Sequence, residues 1–136
     1  MKTLKNVMLI ISFIYVLFMS LPGYSQTILL NKNKNTVIRE MNKVSNFKLS
    51  VEAKDYVEYQ GANIAIGYRF ENNTCNEIVI SMESNYRKYF LNEKENCNCW
   101  LETKTGWVYK EFVYKQWVLI REVSDSGVTS FIYYLK

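Results

Sequence analysis

Three cysteines have the clearest chemical character in this chain: Cys75 stands alone, and Cys97-Asn98-Cys99 forms a C-x-C pair. A thiolate can serve as nucleophile or metal ligand, but the chain contains no histidine. That removes the commonest general base, the commonest zinc ligand and every Ser–His or Cys–His arrangement. Three thiolates with no histidine and no second C-x-C fit zinc or copper poorly, and a C-x-x-C redox pair is missing. No metal and no cofactor is therefore expected. In an exported protein the three read instead as one disulfide, from Cys75 to Cys97 or Cys99. It would close a loop of about 20 residues and contribute roughly 2–4 kcal/mol. The remaining thiol is either buried or available for pairing between chains, and a Cys97–Cys99 bond would be strained.

Carboxylates are the next possibility. A retaining glycosidase needs two of them about 5 Å apart. Glu40, Glu52, Asp55, Glu58 and Glu71 are scattered at positions suited to a solvated surface, and nothing selects a pair. No catalytic residue is assigned, and an enzyme is not expected. Trp100, Trp107 and Trp117 lie close together in sequence with Tyr109 and Tyr114. Trp107, Tyr109 and Trp117 could form an open aromatic surface for stacking on a sugar or peptide. The competing reading is that these rings are core and cross-strand partners of a small sheet. Burial of the tryptophans would exclude the open surface.

The chain that must position these residues begins with an export address. Lys2 and Lys5 precede an apolar run from Val7 to Leu21, Pro22 and Gly23 break it, and Gly23-Tyr24-Ser25 places small residues at −3 and −1 before Gln26. This is the pattern of a cleaved signal peptide at 1–25, too short for a bilayer span. Cleavage leaves 111 of the 136 residues, enough for one small domain. The remainder carries 15 basic and 13 acidic residues, net +2, in no dense cluster. Nucleic acid is thus not expected as a partner, and the membrane is expected only through the signal peptide before cleavage.

After residue 25 the chain has no proline and keeps nine Tyr, three Trp and five Phe, the composition of a folded, strand-rich domain. Asparagines at 31, 33, 35, 72, 73, 96 and 98 supply turns and caps. Residues 26–35 read as an N-terminal arm before a single domain over 36–136. Val37, Ile38, Met41 and Val44 form an apolar stripe at helical spacing, capped by Asn35 or Thr36. From Phe47 the period becomes two. Ile64, Ile66, Tyr68 and Phe70, then Ile78, Ile80 and Met82, predict a β-hairpin over 63–82. Ser84–Glu95 predicts a second short helix capped by Ser84, and strands follow at 98–103, 107–113, 117–123 and 128–135. Gly106 and Gly127 sit where turns want a positive φ. The expected fold class is α+β, one or two short helices packed on a largely antiparallel sheet. Helix followed by strands occurs twice, a hint of an internal repeat.

The leader ending in Tyr24-Ser25, the helix at Thr36–Val44 and the Tyr68-x-Phe70-x-Asn72-Asn73-x-Cys75 segment are similar to small exported proteins of unknown function of the Bacteroidota type. The resemblance implies an envelope or secreted α+β domain and carries no catalytic residues. The expected function is an exported, periplasmic or secreted, non-enzymatic binding or interaction domain for a protein or glycan ligand. The alternatives are a periplasmic inhibitor or immunity-type protein, and a carboxylate-based glycan hydrolase.

Overall fold

Asn33, not Asn35 or Thr36, starts the first helix: its side-chain oxygen accepts the Thr36 N–H at 2.8 Å, satisfying one of the unpaired donors of the first turn. The computed structural model describes residues 29–110 and 112–136, and for residues 93–97 the backbone only. The expected signal peptide at 1–25 and the Cys97 thiol lie outside the described parts. Helix α1 runs Lys34–Asn42 and buries Val37 and Met41. Ahead of it, Leu29 and Leu30 enter the core, and Asn31 N–H donates to the Cys75 carbonyl at 2.7 Å. The segment that read as an arm is thus fastened to the sheet.

Eight strands follow: β1 Lys48–Ala53, β2 Tyr56–Gln60, β3 Ile64–Glu71, β4 Thr74–Glu83, β5 Trp100–Glu102, β6 Gly106–Tyr109, β7 Val118–Asp125 and β8 Val128–Leu135. A 3-10 turn, Ser84–Tyr86, leads into helix α2, Arg87–Cys97. Ser84 does not cap that helix; its hydroxyl lies 2.8 Å from the hydroxyl of buried Thr129, which also meets Ser124 at 3.0 Å. All neighbouring strands are antiparallel, in the order β1-β2-β3-β4-β8-β7-β6-β5. This corrects the α+β expectation. Among the described residues, one eight-stranded antiparallel sheet with two short helices is nearly all sheet, because the helical stripes last only two or three turns while period two governs most of the rest. No helix among the described residues is long and apolar enough to cross a membrane.

The strand order has a simple origin. Each half of the chain is a helix followed by a four-stranded meander, and the halves join where β4 pairs with β8. The order and directions of the strands in the two meanders correspond under a two-fold rotation normal to the sheet between β4 and β8, and both helices pack on one face. That face carries Val57, Tyr68, Ile78, Tyr133 and Ile120 in cross-strand register, all buried. Helix α1 meets it where the Tyr68 hydroxyl reaches Met41 Sδ at 2.9 Å, and α2 where Phe90 stacks on Phe131 with ring centroids 3.7 Å apart. Arg87 of α2 adds a two-point ion pair to Glu122 of β7, Nη2 to Oε1 at 2.8 Å.

Asparagine makes the turns. Asn72 and Asn73 both have positive φ, closing β3–β4 in two residues, and Ser126-Gly127 does the same for β7–β8. Two consecutive left-handed residues match the twist of paired strands. Gly106, by contrast, is not at positive φ; it is glycine because β7 passes too close for a side chain.

Candidate functional site

The two halves differ most at one connection. Between β2 and β3 the first half turns in three residues, 61–63, whereas the equivalent β6–β7 connection of the second half uses eight, 110–117. The shorter version shows what the fold needs, so the added residues serve something else. Within them, Val113 and Gln116 exchange backbone hydrogen bonds at 2.9 and 3.0 Å, making a miniature hairpin around Tyr114 and Lys115. Both of those residues have positive φ, 52° and 61°. Neither is glycine or asparagine, so this turn carries backbone strain at both positions, where the β7–β8 turn has one such residue, Ser126, and the β3–β4 turn none.

The hairpin displays aromatic rings. Phe112 is 60% exposed, Tyr114 43% and Trp117 42%, and the Phe112 and Trp117 rings lie 4.1 Å apart, tilted by 42°. Lys32 Nζ stands 5.5 Å from the centre of the Tyr114 ring. Trp117 is anchored by reciprocal backbone bonds with Lys136 at 2.9 Å. It precedes buried Val118, so alternation turns it toward the uncovered face of the sheet. Trp107 and Tyr109 do not join it. Both are half-buried on the helix-covered side, Trp107 5.8 Å from Phe131 and Tyr109 4.9 Å from buried Trp100. The three residues proposed from sequence as one surface are thus divided between two environments. Phe112 and Tyr114 complete the exposed set. The signal for them was a stretch after Tyr109 with none of the residues that usually shape a tight turn.

Replacing the strained pair tests this description. Tyr114→Asn with Lys115→Gly is expected to stabilise the fold by about 1–2 kcal/mol, seen as a higher unfolding temperature, since Asn-Gly suits this turn. No gain would mean the turn is unstrained.

A concavity of about 660 Å³ lies at the same end of the sheet, lined by Lys54, Asp55, Tyr56, Arg69, Asn76 and Glu77 among others. The Glu77 carboxylate is engaged by arginines, Arg69 at 3.3 Å and Arg121 at 4.0 Å. The Tyr56 hydroxyl donates to Glu58 at 2.7 Å, and burial, then that carboxylate, push the phenol up to about 12. Such a phenol stays protonated at neutral pH and is no base. Among the described residues no group of three or more Cys, Asp or Glu is placed to hold a metal ion.

The disulfide expected from Cys75 is corrected. Cys75 is a free thiol, buried at the start of β4 beneath the N-terminal segment, and its Sγ donates to the Glu77 carbonyl at 3.6 Å. Burial pushes the thiol up to about 12. It is expected to resist alkylation in the native protein and to react on denaturation, as read by peptide mass mapping. The raised Cys75 and Tyr56 values also set an alkaline limit. The folded state holds both protons more tightly than the unfolded chain, so this contribution is whole below about pH 9 and is lost as pH rises toward 12. Urea midpoints measured from pH 8 to 11 should hold to about pH 9 on this account and fall above it.

The fold and the exposed hairpin define a tandem helix-plus-meander sheet domain with an aromatic end. Comparison with protein-family models, curated proteins and solved structures gives no match.

Proposed function

We propose that this chain is an exported, non-enzymatic interaction domain whose contact surface is the 112–117 hairpin. One observation carries the reading: the second half of a two-fold sheet lengthens a three-residue turn to eight and uses the extra residues to display Phe112, Tyr114 and Trp117. Large rings held on a stiff two-residue turn offer much contact area at little cost in conformational entropy. In the neighbouring groove the Glu77 carboxylate is held by two arginines, which does not favour a hydrolase built on it.

A photo-crosslinking amino acid placed at 112 or 114 in cells exporting the protein should yield adducts. The same group at Val123, which is 45% exposed elsewhere on the sheet, should not. Adducts equally absent from all three positions would remove the hairpin as a contact surface.

A further inference from the structure

From the surroundings of the hairpin we infer that its partner is the surface of a lipid bilayer, so that membrane contact does not end with the signal peptide. The inference rests on the reading of the hairpin as the contact surface. Its composition comes first. Phe112, Tyr114 and Trp117 are exposed beside Lys115, with Lys32 over the Tyr114 ring. Amphipathic rings with lysines whose stems lie along them are the make-up of a membrane–water interface. The core of a protein–protein interface is instead depleted in lysine.

The path of the chain comes second. Asn31 and Lys32 are bonded to Cys75 at the start of β4, and Lys32 reaches Tyr114, so the chain enters the domain at the hairpin end. Only residues 22–28 separate the apolar run ending at Leu21 from Leu29. At the reach of an extended chain that is less than about 30 Å. While the leader is engaged with a membrane, the hairpin end is therefore the end held at its surface.

The asymmetry of the sheet comes third. The turns at the opposite end, Gly61-Ala62-Asn63, Thr103-Lys104-Thr105 and Ser126-Gly127, contain no aromatic residue. Among the described residues the exposed rings, Phe112, Tyr114 and Trp117, gather at the end where the chain enters, whereas Tyr86 and Tyr89 beside the opposite end are half-buried. With few lysines involved, ring insertion and not charge supplies most of the attraction, and binding should weaken only modestly with salt.

The test uses the exported protein as purified, with vesicles of phosphatidylethanolamine and phosphatidylglycerol at 3:1, some carrying a nitroxide at a shallow acyl position. Tryptophan emission should shift to the blue and be quenched by the nitroxide, and the quenched component should vanish in Trp117→Phe. Trp100 and Trp107, packed on the covered face, should remain unquenched. Phe112→Ser, at a position that folding does not bury, should weaken vesicle partition about tenfold, the effect of withdrawing one large ring from water-excluded contact. This readout reports the hairpin itself, whether or not residues 1–25 remain. If Trp117 stays open to aqueous iodide with vesicles in excess, the bilayer is overturned as partner. Crosslinks from 112 or 114 to a protein would then leave the hairpin as a protein-binding surface, whereas their absence as well would remove both readings.

Discussion

Gly106→Ala is expected to strip β5 and β6 from the sheet and to lower the unfolding temperature more than any other single methyl addition among the described residues. A Cβ at this position would lie 1.7 Å from the Ile120 carbonyl oxygen, 2.8 Å from its carbon and 3.0 Å from Arg121 Cα. All three are backbone atoms of β7, a strand held along its length by β8, so none can swing aside. Strand β6 must therefore leave. Because β5 pairs only with β6 among its neighbours, it leaves too, and Trp107 comes off Phe131 as Trp100 comes off Tyr133. The cost should exceed about 3 kcal/mol, the upper range for forcing extra volume into a packed site. For a domain of this size that lowers the melting temperature by more than about 10 °C. Thermal denaturation followed by near-ultraviolet circular dichroism measures it, and a shift below about 4 °C would show that the strands are not this close.

Phe131→Ala should cost about 3–5 kcal/mol, the range for deleting a fully buried phenyl ring. Phe131 is wholly inaccessible and receives Phe90 from α2 at 3.7 Å and Trp107 from β6 at 5.8 Å. It is thus the point where α2, the central strand and the second meander meet. The urea midpoint should fall with an unchanged slope, and amides of α2 should lose hydrogen-exchange protection before those of β3 and β4. Phe131→Leu, which keeps most of the volume, should recover more than half of the loss. If Phe131→Ala costs less than about 1 kcal/mol, α2 does not pack where it is described.

The hairpin bears on how such a surface is found. Trp117 was evident from sequence as a candidate because tryptophan is rare and polar at one end. Phe112 was read into a strand running to Val113, where alternation gave it an ordinary place. The strand in fact ends at Tyr109. Tyr114 and Lys115 then turn the chain at positive φ without glycine or asparagine, which no rule based on turn residues anticipates. Trp107 and Trp117 have similar local patterns, yet one packs under the sheet and the other points away from it.

The sequence by itself determined what depends on neighbours along the chain. Alternation from Ile64 to Met82 specified a hairpin, helical spacing at Val37 and Met41 specified α1, and asparagines at 72 and 73 specified its tight turn. The missing histidine limited the chemistry before any fold was known. Tertiary structure decided the rest. Period two says which residues share a face, but not which strand lies alongside or which face is covered. The pairing of β4 with β8 sets that, across about fifty residues of chain. Other contacts distant in sequence decide the rest: the N-terminal segment covers the free Cys75, β7 lies against Gly106, and the β6–β7 connection separates Trp117 from Trp107. Each depends on atoms brought together by strand pairing and not by the local pattern of the chain.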